Sequence, residues 1–591
     1  GRGEVESNIV EAVTPRVLYI TVLPMSKNAE PFAITTLEAL ALASIVALFV
    51  TLCLTNVNLP GLFYDETIDA VPTVQMLTGQ PVESLRGSGL RLGPVFIPLM
   101  VSDYVSTVNT LLLLPFLACF GPQPIAFRLM TTLVGLAALL LYYAFTRELL
   151  GRPVALITAL LLAVHPSYVF WSRQGIYLSS TMTVAAGGSL WAWLCWRRSR
   201  RRRWLLLGAF FLGFGLSAKF LFLWFILALA GACWLVTGIP RLWRRDLRGF
   251  IQALFFDLSP GQLLLGGLAW CLGASLILIY NLQTQGTFHV LFDNLGTTSY
   301  GVSNLNFVGN FVTQLHHLRT VLEGSFFWFI GGPYANPIYP TAFVVALVVL
   351  FVLTLGPAQG HWRRFLFIFT LFAVMLVESC FTISGLWETH LLIFLPLPQM
   401  MIAWGLVLIV REVSVWSGTL RRKVLAKAST PDRWVRPVVL AGAALVVVAL
   451  VGSDLWVDAQ YHRDLPLTGG YSRFSDAIHD LAAYLDARGD PHPVAMDWGL
   501  STTIYVLTWG RVQPVEIFEH QRDPSPAFYE KLRGYMQNPA TLYLFNSGDV
   551  VVYDRFPQWE ALVKEQGKTI ILEKTFKQRD GDPIFNILRA E

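Results

Sequence analysis

Charge is scarce in this sequence of 591 residues. Asp, Glu, Lys and Arg make up 14% of it, where soluble domains carry about one quarter. Hydrophobic residues make up 54% and the mean hydropathy is +0.53. Those figures exclude a water-soluble globular chain. Cysteine is sparse too: Cys53, Cys119, Cys195, Cys233, Cys271 and Cys380 all lie in or at the ends of apolar runs, with no C-x-x-C and none after Trp456. That excludes a disulfide framework and a thiolate metal site, and leaves small apolar filler as their role. The first 36 residues lack the apolar core of a signal peptide. Gly1 stands where an initiator Met belongs, which points to residues ahead of it. The part after Trp456 has no Gly-x-Gly-x-x-Gly, no P-loop and no nucleophile elbow, and the chain shows no internal repeat. No basic cluster resembles a nucleic-acid-binding module, so no nucleic-acid partner is expected.

What is present is a series of apolar runs close to the roughly 20 residues that cross a hydrocarbon core. Eleven spans are expected: 37–54, 125–145, 154–170, 177–196, 204–216, 220–236, 263–280, 338–355, 365–381, 391–410 and 438–456. Two long loops interrupt them, 55–106 and 281–337. Within the first, 65–77 reads as a short helix stopped by Gly79. The stretch 95–117 is apolar but broken by Pro98, Asp103 and Pro115, which suggests an interfacial or re-entrant piece. The fold class is therefore a polytopic α-helical membrane protein. Its parts are a cytoplasmic segment 1–36, a transmembrane domain 37–456, and a soluble domain 457–591. In the last, strands alternate with helices, the pattern of a small α/β layer.

The placement of charge supports that topology. Arg147 and Arg152, Arg197 to Arg203, Arg241 to Arg248, Arg363 and Arg364, and the set Arg421 to Arg436 occupy alternate loops. The opposite loops hold only Arg86, Arg91, Arg173, Lys219 and Arg319. By the positive-inside rule the basic set is cytoplasmic, and both long loops and the tail are extracytoplasmic.

Asp65-Glu66 follows Pro60-Gly61 and the aromatic pair Phe63-Tyr64, where the chain leaves the first span. Two carboxylates at that depth suit transfer of a group from a lipid carrier. An acceptor hydroxyl must lose a proton as it attacks, which calls for a carboxylate within reach. A leaving phosphate needs fixed cations or a metal. The plain structural alternative is that the acids favour the first turn of the 65–77 helix.

Gly61-Leu62-Phe63-Tyr64-Asp65-Glu66 resembles the first-loop motif of the GT-C glycosyltransferases. It is most similar there to the polyprenyl-phosphate-mannose protein mannosyltransferases and the aminoarabinose transferases of lipid A. The resemblance continues through Phe120-Gly121-Pro122-Gln123-Pro124-Ile125-Ala126-Phe127-Arg128-Leu129, through His165-Pro166-Ser167 to Ser172-Arg173-Gln174-Gly175, and through Leu212 to Lys219. It covers about the first 220 residues, and the span plan extends it to Trp456. It implies that Asp65 is the base of an inverting single displacement, and that Glu66 orients the acceptor or holds a divalent ion. The implied donor is a polyprenyl-phosphate-linked sugar. The implied acceptor is a protein, lipid or glycan hydroxyl. The implied location is the extracytoplasmic face of a prokaryotic cell membrane.

Three cations are candidates for the donor phosphate. Lys219, between two apolar spans on the outer side, defies the positive-inside bias and costs roughly 2.5–3.5 kcal/mol on insertion scales if deep and alone. Its alternative is snorkelling to headgroups. Arg173 has the planar fork that suits phosphate, with stacking on Trp171 or Tyr177 as its alternative. Arg128 is placed to pair with the loop carboxylates or a headgroup. Glu388 and His390, two apart in a short outer turn, are candidates for an acceptor or metal site, or else a polar cap. His316-His317 lacks a partner at metal spacing. Two other readings stay open: a non-catalytic scaffold subunit of GT-C descent, and a lipid-linked sugar flippase. The flippase reading sits poorly with the absence of repeats.

Overall fold

The computed structural model describes residues 34–174, 177–424, 435–489, 492–519, 522–547 and 553–591. Most of the N-terminal segment, Gly175 of the third motif, and Lys427 and Arg433 of the last basic loop lie outside the described residues. So does the side chain of Tyr177.

The protein is a multi-pass helical bundle. Among the described residues seven helices are long and apolar enough to cross a bilayer, including Thr36–Leu54, Pro124–Leu150, Phe220–Trp243 and Ile338–Leu355. Two bent helix pairs are together as long and apolar, each a broken span or a re-entrant loop. Arg152–Ala163 meets Pro166–Arg173 at 62°, and Pro260–Gly273 meets Ser275–Thr284 at 75°. Pro166 explains the first bend, because its ring cannot continue the preceding helix and it donates no hydrogen bond. The less apolar helices Tyr177–Ser199 and Arg202–Ala218 coincide with the two remaining expected runs. Backbones approach closely where glycine permits. A Cβ on Gly213 would lie 2.1 Å from the Trp270 carbonyl oxygen, and one on Gly273 would lie 2.2 Å from that of Phe210.

Helix Pro124–Leu150 spans about 40 Å at 1.5 Å per residue, so its ends mark the two ends of the bundle. At its C-terminal end Arg147 pairs with Glu38 at 2.6 Å, Arg198 with Glu148 at 2.9 Å, and Arg241 with Asp257 at 2.6 Å. Three of the five basic loops therefore gather at one end and carry their own counter-charges.

At the other end the first loop begins with Tyr64–Thr67, Ile68–Ala70 and Val71–Thr78, nearly one helix, closed by Gly79 in the left-handed region at φ 70°. The broken apolar stretch 95–117 begins with strands of two short antiparallel pairs, Gly89–Leu92 with Val95–Pro98 and Met100–Ser102 with Val105–Ser106. Helix Val108–Phe120 follows. At 13 residues it is about 20 Å long and too short to span.

The last membrane helix runs from Val435 to Thr468, well beyond the expected end at 456. Asp454, Val457, Asp458, Tyr461 and Leu465 form a buried stripe at helical spacing. The Tyr461 hydroxyl donates to the Gly324 carbonyl, at 3.1 Å, and to that of Tyr334, at 3.0 Å. The drop in hydropathy after Trp456 marks the end of the apolar run rather than the end of the helix.

The tail is a five-stranded sheet ordered Val515–Glu516, Val494–Ala495, Tyr543–Asn546, Pro583–Ala590, Ile570–Lys577. The first three strands are parallel and the last two join antiparallel. Alternate residues feed two cores: Ala495, Leu542 and Leu544 face helix Ala477–Arg488, while Val494, Met496, Tyr543 and Phe545 face Trp559 and Phe528. This domain sits on the first loop. The Gly61 amide donates to the Phe474 carbonyl at 2.9 Å, Phe474 stacks on Phe329 at 3.9 Å, and the Tyr64 ring lies 4.3 Å from that of Trp498. The Thr67 hydroxyl lies 3.2 Å from that of Thr502 and 3.1 Å from that of Thr503.

Candidate active site

Asp65 and Glu66 are neighbours with opposite surroundings. On a helical turn successive side chains point about 100° apart, so one faces outward and the other the bundle. Asp65 is exposed and Glu66 is fully buried. The protein walls around Asp65 still push its carboxyl above the usual range, against the pull of Arg473 and Lys219. Asp65 is thus an accessible carboxylate whose affinity for a proton is raised, as a proton acceptor requires.

Lys219 acts on Asp65 from the bundle. It is an extended residue between helix Arg202–Ala218 and the turn Phe220–Phe222, and its side chain is buried. The Phe220 amide donates to the Tyr104 carbonyl at 2.9 Å, which ties this junction to the first loop. Lys219 Nζ lies 2.8 Å from His390 Nε2. Burial lowers the Lys219 ammonium to about 8, while the Asp65 and Asp69 carboxylates hold it up. Burial, with the charge of Lys219 next, keeps His390 well below its ordinary value. A charged lysine only donates, so His390 accepts through Nε2 and carries its proton on Nδ1.

Asp69 is a third carboxylate, which the sequence reading missed. It lies one turn after Asp65, so the two share a face. It is buried and accepts from Asn109 Nδ2 at 3.3 Å, and Asn109 Oδ1 in turn accepts from the Thr181 hydroxyl at 2.8 Å. Burial raises its carboxyl to about 7, and the neighbouring charge of Asp65 adds to the rise. The i, i+4 spacing was the available signal.

Glu66 turns inward to Arg128, at 3.4 Å, with both side chains fully buried. Arg128 also donates to the carbonyls of Val57 and Pro60, each at 2.8 Å. Arg173 is likewise buried and donates to the carbonyls of Cys53, Thr55, Asn56 and Leu59. It stacks on Phe170, at 5.5 Å, rather than on Trp171. These two arginines brace the backbone of 53–60 from behind. Arg128 is correctly placed beside a loop carboxylate, but neither arginine stands with Asp65 and Lys219, as expected for a phosphate grip. Six carbonyls at and after the end of the first helix need donors, and the two guanidiniums supply them.

Glu388 and His390 also separate. His390 joins Lys219, and Glu388 pairs with His317, at 3.4 Å. Among the described residues no three His, Cys, Asp or Glu side chains are grouped to hold a metal ion. Glu66 is committed to Arg128, so the residues present do not fit the divalent ion considered for it.

A second cation comes from the tail. Arg473 is exposed, with its guanidinium 5.2 Å over Phe474 and 5.6 Å over Trp498. It lines a small cleft with Phe63, Tyr64, Trp498 and Asn546. Nothing local in the sequence marks it, since it stands 408 positions from Asp65 in a segment of ordinary composition.

The sequence model of the dolichyl-phosphate-mannose-protein mannosyltransferase family matches residues 108–256, which include Arg128, Arg173 and Lys219. No curated protein matches. The fold is similar to that of ArnT from Cupriavidus metallidurans in the apo state, with TM-score 0.57 and 12% identity over 92% of this chain and 97% of that one. The ArnT structure bound to undecaprenyl phosphate aligns with TM-score 0.54 at the same identity and coverage. An oligosaccharyltransferase from Archaeoglobus fulgidus aligns with TM-score 0.50 and 11% identity over 86% of this chain and 69% of that one. The GT-C resemblance thus holds both in sequence, over the second to sixth spans, and in fold, over nearly the whole chain.

Proposed function

We propose that this protein is a membrane glycosyltransferase that moves a sugar from a polyprenyl-phosphate carrier to an acceptor hydroxyl, with inversion, on the extracytoplasmic face of a prokaryotic cell membrane. The observation that carries the reading is Asp65: an accessible carboxylate in the turn that follows the first span, with the buried cation Lys219 acting on it from the bundle. The acceptor hydroxyl gives its proton to Asp65 as its oxygen attacks the anomeric carbon. The bond from that carbon to the carrier phosphate breaks on the opposite side, and its electron pair leaves with the phosphate. Lys219 meets that charge. One displacement inverts the centre.

Two further observations support it. A similar fold occurs in a protein solved with undecaprenyl phosphate. Three of the arginine-rich loops gather at the end of the bundle away from Asp65, and the positive-inside rule then makes the Asp65 end extracytoplasmic. The acceptor class is a protein, lipid or glycan hydroxyl. The test is sugar transfer in proteoliposomes from a radiolabelled polyprenyl-phosphate sugar. Asp65→Asn, folded to the same melting temperature, is expected to lose at least about a hundredfold in rate. Full transfer by that variant would remove Asp65 as the base.

A further inference from the structure

We propose that Arg473, carried by the C-terminal domain and set beside the Phe63-Tyr64 turn that holds Asp65, is the second cation on the donor phosphate with Lys219, so that the tail contributes a residue to the active site. This rests on the polyprenyl-phosphate reading above.

The turn that delivers Arg473 is built at some conformational cost. Gly469, Gly470 and Ser472 all have positive φ, at 65°, 92° and 60°. A Cβ on Gly470 would lie 2.3 Å from the Phe474 carbonyl oxygen and 2.6 Å from Pro60 Cβ. A Cβ on Gly469 would lie 2.2 Å from Asp476 Oδ1. A left-handed Ser next to two such glycines persists only where the surroundings hold it. Here they do: the Tyr471 amide donates to the Phe329 carbonyl at 2.7 Å, the Ser472 amide to Gln578 Oε1 at 2.5 Å, and Arg579 pairs with Asp476 at 2.6 Å. The segment 469–476 is thereby wedged against Pro60-Gly61, at the root of the turn that carries Asp65.

The side chain is pre-oriented as well. The guanidinium lies over Trp498, whose ring packs on Tyr64, the residue next to Asp65. Stacking occupies the faces of a guanidinium and leaves its N–H edges for an anion. Arg473 makes no hydrogen bond or ion pair with any described residue, in contrast to Arg128 and Arg173. The charge it feels is that of Asp65, which also acts on Lys219. Two cations flanking one carboxylate fit a phosphate with its sugar held over the base. They also answer what braces a leaving dianion once Arg128 and Arg173 are committed to the backbone.

The experiment is titration of the full-length protein in nanodiscs with undecaprenyl phosphate. Wild type, Arg473→Gln, Arg473→Lys, and Arg533→Gln as a distant surface control in the same domain are compared. Arg473→Gln is expected to bind about tenfold more weakly, Arg473→Lys to recover most of that loss, and Arg533→Gln to match wild type. The melting temperature without lipid should be unchanged in all four. An equal affinity in Arg473→Gln overturns the proposal and leaves the Asp65 reading intact. A loss in Arg473→Lys as large as in Arg473→Gln also overturns it, because charge would not be the cause. The same loss for phosphatidylglycerol overturns it in favour of general anion attraction. A wild type that binds no undecaprenyl phosphate brings down the donor reading and this inference together.

Discussion

Lys219 and His390, 171 residues apart, meet at 2.8 Å between Nζ and Nε2 inside the bundle. The contact joins the end of one helix to the turn before another and fixes the position of the ammonium. A neutral imidazole that only accepts leaves the lysine its charge and two N–H groups for a phosphate.

His390→Phe removes that acceptor. The expected result is a loss of about tenfold in affinity for undecaprenyl phosphate, in line with a hydrogen bond to a charged group. His390→Gln, which can still accept, should lose less. Unchanged affinity in His390→Phe would take Lys219 out of the donor site.

The pH profile of kcat/KM should be bell-shaped. Asp65 must be ionised to accept a proton, and its surroundings raise it, so the acid limb lies above the usual carboxylate range. Lys219 must be charged, and burial brings it to about 8, so the basic limb falls near pH 8. Lys219→Arg keeps its charge to higher pH and should move the basic limb upward. Asp69→Asn removes a charge that holds the lysine up, and should move the limb downward. A basic limb that neither variant shifts belongs to another group.

Arg128→Met should act on stability. It strands the buried Glu66 carboxylate and two loop carbonyls, and breaking a buried pair costs about 3–5 kcal/mol. Thermal denaturation in detergent reads the loss. The protein that stays folded should bind undecaprenyl phosphate as wild type does; a selective loss of lipid affinity would return Arg128 to the phosphate site.

Gly61→Ala tests the docking of the tail. A Cβ there would lie 2.2 Å from the Ser475 carbonyl oxygen and 2.6 Å from its carbon, both backbone atoms that cannot swing away. The C-terminal domain must shift. Sugar transfer should fall at least about tenfold, with faster proteolysis between 469 and 476. Full activity with unchanged proteolysis would mean that the tail is not part of the working site.

Much of the architecture is legible because hydropathy is a local property. Each apolar run coincides with a helix or a bent pair. The 65–77 helix stops at Gly79, and the hairpin closing the tail sheet pairs Leu572 with Leu588. The His165-Pro166 pair signals a break, yet not its 62° angle, which the helices packed around it set. The polar residues after Trp456 read as a domain start. They are the solvent-side continuation of a helix whose buried stripe touches the loop at Gly324 and Tyr334.

Composition and order along the chain determined that this is a membrane bundle, that Asp65-Glu66 stands where the first span ends, and that Lys219 is a cation on an otherwise cation-poor side. Only the tertiary structure decided which arginines serve the backbone and which stands beside the turn that holds Asp65. Arg128 and Arg173 read as candidates for the donor phosphate until the carbonyls of 53–60 pack against them, and Arg473 reads as an ordinary tail residue until its turn wedges against Pro60. The reason is physical: hydrophobic periodicity fixes where a segment lies, whereas the partner of a charged side chain depends on segments hundreds of residues away that only folding brings into contact.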